Sequence, residues 1–455
     1  MTYLKKMKTC FAASALLWPL PLAAQTPETG IASLQALSVE ALRDRDYGGA
    51  LDVAARIDCP GRANGAEGII LGHESDGLDL YARLQLPDGA APESGYPVVM
   101  FLHGWVGAEN APGYLFSCNA DGYYRDIINA YADAGYAVLM PGFRGHGTFN
   151  DTPAEGIEWV QAWDNGSYLS PVFYAIDALN LLAVVPQIGD LGLVVAGAPV
   201  TVNPDIVHVI GHSQGGDAAA MLLAAVGEGA GNGLAVTSGS LWSSTYVDRF
   251  TQLDTYHAME STTAAFYSGD GTWNGTAIGA DGSVNPDFVF GYPPSWIGTM
   301  NPDDWSWQAD YWARSASVRA AVETQLSQMY GAINGGVADM SSLTWSISAD
   351  KDGGFTVNHD PALIGPMAAI GAHDAAQYMR EPLHLHFSDR DFYSFPEWNT
   401  AFCARVNAAG GACTAYEYPG TTHKLGVADA EWYSPEGTED GFAVMIERDL
   451  ALFGG

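Results

Sequence analysis

The chain has 455 residues, 48% of them apolar, which is enough to bury a large core. Its 52 acidic residues against 19 basic ones give a formal net charge of −33, so nucleic acids and anionic membrane surfaces are poor partners. Beyond the N-terminal run no stretch reaches the about 18 uninterrupted apolar residues of a membrane helix, so no integral membrane segment is expected.

Lys5, Lys6 and Lys8, an apolar run over 11–22, and Ala23-Ala24 before Gln25 have the order of a secretory signal peptide, residues 1–24. The protein is therefore expected to be secreted or periplasmic. After cleavage only Lys351 and Lys424 remain as lysines. Residues 25–67 read as an N-terminal leader with a short helix over 31–43. Next come a strand over 78–86, a turn-rich loop over 87–95, and an apolar strand over 97–102 ending at His103-Gly104-Trp105. A helix over 125–134 leads to a strand over 136–140 and the segment Gly142-Phe143-Arg144-Gly145-His146-Gly147. A helix over 174–185, a buried-type strand over 206–210 and an alanine-rich helix over 217–226 follow. Strands alternating with helices at this spacing predict a parallel sheet in an α/β domain.

The rhythm stops after Trp242. Residues 243–375 are rich in Gly, Asn, Asp and Trp, with one helical piece over 318–330. It resumes with a strand over 382–387, a helix over 401–408, a strand over 414–418 and a helix over 441–452. This predicts one sheet domain, 68–242 and 376–455, interrupted by an insertion over 243–375 that reads as a cap or lid. Cys59, Cys118, Cys403 and Cys413 follow the signal peptide. They allow three pairings, of which Cys403–Cys413 with Cys59–Cys118 is preferred, the first pair being close in sequence.

Gly211-His212-Ser213-Gln214-Gly215 ends a strand and opens a helix. In this context G-x-S-x-G is a nucleophile elbow: the glycines permit a sharp turn that projects the serine hydroxyl, and the helix N-terminus offers N–H groups to an oxyanion. A serine hydroxyl needs a base, and in such elbows an acid and then a histidine follow in the chain. His423, after the strand ending Tyr418-Pro419-Gly420, is the expected base. In Ser388-Asp389-Arg390-Asp391 the preferred acid is Asp391, with Asp389 as fallback.

These pieces resemble the α/β-hydrolase superfamily, nearest to its prolyl-oligopeptidase-like and dienelactone-hydrolase-like secreted esterases. The resemblance is carried by Ser75-Asp76-Gly77 with residues 78–87, by 96–105, 142–147, 211–216 and 388–391, and by Tyr418 to His423. It covers 68–242 and 382–455; the insertion resembles no known family. The resemblance implies a mostly parallel central sheet flanked by helices, and an oxyanion hole from the backbone N–H groups of Gln214 and Trp105. The Trp105 indole either lines the acyl pocket or packs in the core. Trp105, Trp242, Trp296 and Trp305 are the candidate substrate-binding aromatics. Trp273, Trp307 and Trp312, with Tyr292 and Tyr311, make the insertion either a small aromatic core or an apolar cap over the serine.

No cofactor and no metal are expected. His384 and His386 alternate on one strand face and read as packing residues, and Asp350-Lys351-Asp352-Gly353-Gly354 lacks the ligand spacing of a calcium loop. The expected activity is hydrolysis of carboxylic esters through an acyl-enzyme, on apolar or aromatic esters, with lipid and polyester substrates in range. The rivals are a serine peptidase of prolyl-oligopeptidase type, although no propeller precedes the domain, and a non-catalytic binding protein on the same scaffold.

Overall fold

The computed structural model describes residues 34–58, 67–114, 124–163, 170–195, 197–252, 323, 326–327, 330–331, 343–349, 355–388, 391, 394–418, 423, 425 and 441–454. The signal peptide, Cys59, Cys118, Asp389, Trp296, Trp305 and the aromatic cluster over 273–312 lie outside the described residues.

A nine-stranded sheet forms the centre. Its strands are β1 (Leu51–Asp58), β2 (Glu67–Ser75), β3 (Leu78–Gln85), β4 (Tyr96–Leu102), β5 (Ala137–Pro141), β6 (Val202–His212), β7 (Ser238–Trp242), β8 (Pro382–Ser388) and β9 (Ala412–Tyr418). Their spatial order is β1-β2-β3-β5-β4-β6-β7-β8-β9. The pairs among β1, β2, β3 and β5 are antiparallel, and every pair from β5 to β9 is parallel.

The helices are α1 (Val39–Arg43), α2 (Arg125–Asp133), α3 (Ile157–Trp163), α4 (Ser170–Val184), α5 (Gln214–Val226), α6 (Pro361–Ala369), α7 (Pro396–Ala408) and α8 (Gly441–Phe453). Side chains alternate along each strand, so the sheet feeds two cores. Val98, Met100 and Leu102 of β4 join the core packed by α4, α5 and α7. Val99 and Phe101 join the other, packed by α2 and α8. Together with the elbow between β6 and α5, this is the expected α/β-hydrolase fold.

The structure differs from the sequence expectation in two places. The segment read as a leader supplies a sheet strand: Leu51–Asp58 pairs with Glu67–Ser75, and the described part of the expected 31–43 helix is helical at 34–35 and at Val39–Arg43, with a turn between. The far end of the insertion is not a separate cap either. Leu363 and Met367 of α6, with Ile370, Ala375 and Ala376, are buried in the same core as α5. Helix Pro171–Leu191 is long and apolar enough to cross a membrane, but most of it is buried inside the fold.

Two of the sequence motifs meet in a buried charge network. The Asp177 carboxylate accepts from the Arg144 guanidinium (Nη2–Oδ1 2.6 Å, Nε–Oδ2 3.1 Å), from the Arg144 backbone N–H (2.9 Å) and from Ser75 Oγ (2.7 Å). Asp76 approaches the same guanidinium at 3.5 Å. Ser75-Asp76-Gly77 and the 142–147 loop are thus fixed to α4.

Candidate active site

β6 delivers Ser213 to the carboxyl edge of the sheet, with Gly211 paired to Leu102 and His212 to Trp242. Ser213 has φ 54° and ψ −125°, a backbone region that side chains other than glycine avoid. The turn needs the flanking glycines. A Cβ at Gly211 would lie 2.6 Å from the Gly215 carbonyl oxygen, and one at Gly215 would collide with the carbonyl oxygens of Leu102 and His103.

His423 meets Ser213 and Asp391. Its Nε2 lies 2.8 Å from Ser213 Oγ and its Nδ1 lies 2.7 Å from Asp391 Oδ2. A carboxylate only accepts, so Nδ1 carries the proton and Nε2 is left to accept from the serine hydroxyl. Asp391 is fully buried and His423 is 15% exposed, so the pair is shielded while the ring keeps access to the cleft. The other Asp391 oxygen accepts from the Ser394 N–H at 3.1 Å. The Ser-Asp-His order expected from the sequence thus meets in space with Asp391 as the partner.

The two expected oxyanion donors belong to the elbow and to the neighbouring His103-Gly104-Trp105 loop. Gln214 is the first residue of α5, where helix N–H groups lack intrahelical acceptors. The His103-Gly104-Trp105 loop presses on the elbow: a Cβ at Gly104 would lie 3.2 Å from Ser213 Cβ. The Gly104 N–H donates to Tyr124 Oη at 2.8 Å, which leaves the next residue, Trp105, as the expected donor from this loop.

Several side chains that the motifs did not reveal hold this arrangement. His212 Nε2 lies 3.0 Å from the His423 carbonyl oxygen, which can only accept, so Nε2 carries the proton. His212 Nδ1 then accepts from Tyr124 O–H at 2.7 Å. One ring and one phenol thereby connect the Gly104 loop to the His423 loop. On the other side Ser244 Oγ donates to the Ser213 carbonyl at 2.6 Å, Ser394 Oγ donates to the Ser244 carbonyl at 2.6 Å, and Asn399 Nδ2 donates to Ser394 Oγ at 2.9 Å. This chain joins the nucleophile to the loop carrying Asp391. Arg249, just past β7, pairs with buried Asp217 in the first turn of α5 and anchors the start of the insertion.

Of the expected substrate aromatics, Trp105 is 49% exposed, which rules out core packing. Trp242 is a correction. It is 1% exposed, stacks on Phe101 at 5.6 Å and lies 4.7 Å from the His212 ring, so it supports the elbow from below. The reason is strand parity: Leu241 faces one core and Trp242 the other. Under the oxyanion loop, His103 and His146 lie 5.2 Å apart within a box of Tyr114, Phe143 and Tyr174. Burial pushes His146 down to about 4, and pushes His103 well below the ordinary histidine range, with the neighbouring His146 adding to the effect. Both are therefore neutral packing residues at pH 7. The expected Cys403–Cys413 disulfide is present and ties α7 to β9. Among the described residues one group of three converging metal-type donors occurs, His384, His386 and Asp449, away from the serine.

No protein-family profile matches the chain. No curated protein matches it by sequence. Among solved structures, acetyl xylan esterase 1 from a Thermoanaerobacterium species is similar at 12% identity, covering 94% of this chain and 96% of that one, with a TM-score of 0.42. An acetyl xylan esterase from a Paenibacillus species gives 13% identity, 94% and 95% coverage and a TM-score of 0.43. Pyrococcus horikoshii acylaminoacyl peptidase gives 12% identity and a TM-score of 0.42; the match covers 86% of this chain but only 41% of the length of that one. Likeness at this level says nothing about the reaction, and the fold class stands on the chain's own sheet order and elbow.

Proposed function

We propose that this protein is a serine hydrolase that cleaves carboxylic esters through an acyl-enzyme. The observation that carries the reading is the chain of hydrogen bonds from Ser213 Oγ to His423 Nε2 and from His423 Nδ1 to Asp391 Oδ2, built on a serine held at positive φ. His423 takes the Ser213 proton as the hydroxyl attacks the ester carbonyl. The Gln214 and Trp105 N–H groups receive the oxyanion, and Asp391 stabilises the imidazolium. His423 returns the proton to the leaving alcohol and then activates water to release the acid. No step needs a cofactor. The half-exposed Trp105, next in sequence to the Gly104 that approaches the elbow, favours apolar or aromatic esters, lipid or polyester substrates included. The basic-apolar N-terminus and the Cys403–Cys413 bridge support export to an oxidising compartment.

Fluorophosphonate labelling with a panel of p-nitrophenyl esters and aminoacyl-p-nitroanilides tests the reading. Expected are stoichiometric labelling of Ser213, ester turnover that exceeds anilide turnover, and loss of both labelling and turnover in Ser213→Ala. Faster anilide cleavage would make the protein a peptidase. A folded protein that neither labels nor turns over would make it a binding protein.

A further inference from the structure

We propose that His384, His386 and Asp449 form a structural site for one divalent transition ion of the zinc class, independent of the serine chemistry. His384 and His386 lie two apart on β8, so both face the α8 side of the sheet, where Asp449 sits on the buried stripe of that helix. Asp449 Oδ1 lies 3.2 Å from His386 Nε2 and 3.5 Å from His384 Nδ1, and the three donor atoms fall within 4.8 Å of one another. An ion at about 2.0–2.2 Å from nitrogen and oxygen ligands in a tetrahedral arrangement spaces them about 3.3–3.5 Å apart. The site needs little movement to close on such an ion.

The outer contacts also have the form of a metal site, in which each ligand's second atom is held by another group. Asp449 Oδ2 accepts from Tyr131 O–H at 2.7 Å, and His386 Nδ1 lies 2.8 Å from Tyr418 Oη. His384 Nδ1 points into the cluster with no hydrogen bond of its own. Charge points the same way. Asp449 is 1% exposed, and among the described residues its ion-pair partners are the two imidazoles. A dication held by the three donors would balance that buried carboxylate. Arg448, the residue before Asp449, donates to Tyr418 Oη at 2.8 Å and stacks over Tyr416 at 4.2 Å. Two nitrogens and one oxygen select a borderline ion over calcium or magnesium.

Bound there, the ion would cross-link β8 to α8. Asp391 follows β8, and His423 lies between β9 and α8, so the link would brace the elements on which both loops are mounted.

The test uses the full chain, stripped with chelator and dialysed, then titrated with Zn2+ alone by calorimetry, with bound metal counted by mass spectrometry. One equivalent should bind, and the melting temperature should rise with Zn2+ but not with Ca2+. Co2+ should give the visible absorption of a low-coordinate site and be displaced by Zn2+. Tyr131→Phe should weaken binding by about 10–100-fold as an outer contact, and His384→Gln, at the rim and compatible with folding, by more. Absence of stoichiometric uptake at micromolar Zn2+ overturns the proposal. Equal uptake by wild type and His384→Gln overturns it too, placing the ion on surface carboxylates.

Discussion

Mild acid should destabilise this protein through histidines that the fold keeps neutral. His103 and His146 are buried under the oxyanion loop, and His73 is buried in β2. Desolvation lowers His73 and His146 from 6.5 to about 4, and lowers His103 further in the same direction. In the unfolded chain each returns to its ordinary value near ~6.5. Below that value the unfolded chain binds protons that the folded one refuses. The stability is therefore intact above pH ~6.5 and is lost as the pH falls toward ~4. For the shifts of His73 and His146 the loss at pH 5.5 is about 1.4 kcal/mol each, or about 3 kcal/mol together, with His103 adding to it. That is a large share of the about 5–15 kcal/mol that typically holds a domain together. Carboxyl groups at their ordinary values, near ~3.9–4.3, titrate below this range. Urea unfolding at fixed salt, followed by fluorescence between pH 7 and 5.5, should show the midpoint falling at constant slope, and His146→Gln should fall less. A urea midpoint that does not move between pH 7 and 5.5 would refute the reasoning.

Asp391→Asn should lower ester turnover by about 10³–10⁴-fold, because the amide no longer fixes the His423 tautomer; steady-state kinetics on the folded variant checks this. Tyr124→Phe leaves the Gly104 N–H and His212 Nδ1 without their shared hydroxyl. It should cost about 1–3 kcal/mol in urea unfolding and slow turnover, since the loop carrying Trp105 loses its tie. Asp177→Ala strands the buried Arg144 guanidinium and should cost about 3–5 kcal/mol, read from the shift in urea midpoint.

The parts of the site legible in the sequence are those encoded locally. The elbow announces itself within five residues, and Asp391 and His423 each follow a recognisable strand. The supporting contacts are not local. Tyr124 and His212 are 88 residues apart, and Ser244 and Ser394 are 150 apart, so no period or spacing pairs them. Other features left a signal that went unread. Leu51, Val53, Ala55 and Ile57 alternate through Leu51–Asp58 as an edge strand should. Met445, Asp449 and Phe453 recur every four residues, so Asp449 stands on the apolar stripe of α8, where an acid needs a partner. Strand parity places that partner, because Leu383 and Leu385 face the other core and leave His384 and His386 toward α8.

The elbow shows why so many contacts gather on one serine. A side chain at φ 54°, ψ −125° costs on the order of 1–3 kcal/mol, and such a residue persists only when its surroundings over-determine it. Here both backbone groups of Ser213 are engaged. Its N–H donates to the Trp242 carbonyl at 3.1 Å, and its carbonyl accepts from Ser244 Oγ and from the Gly216 N–H at 2.9 Å. Trp242 is held in turn by Phe101 and the His212 ring, and Ser244 by Ser394, whose N–H also fixes Asp391. The contacts that hold the strained turn are therefore the ones that position the acid and the base. Strain at the nucleophile and order in the triad depend on one hydrogen-bonded set, which couples the serine to the two loops that activate it.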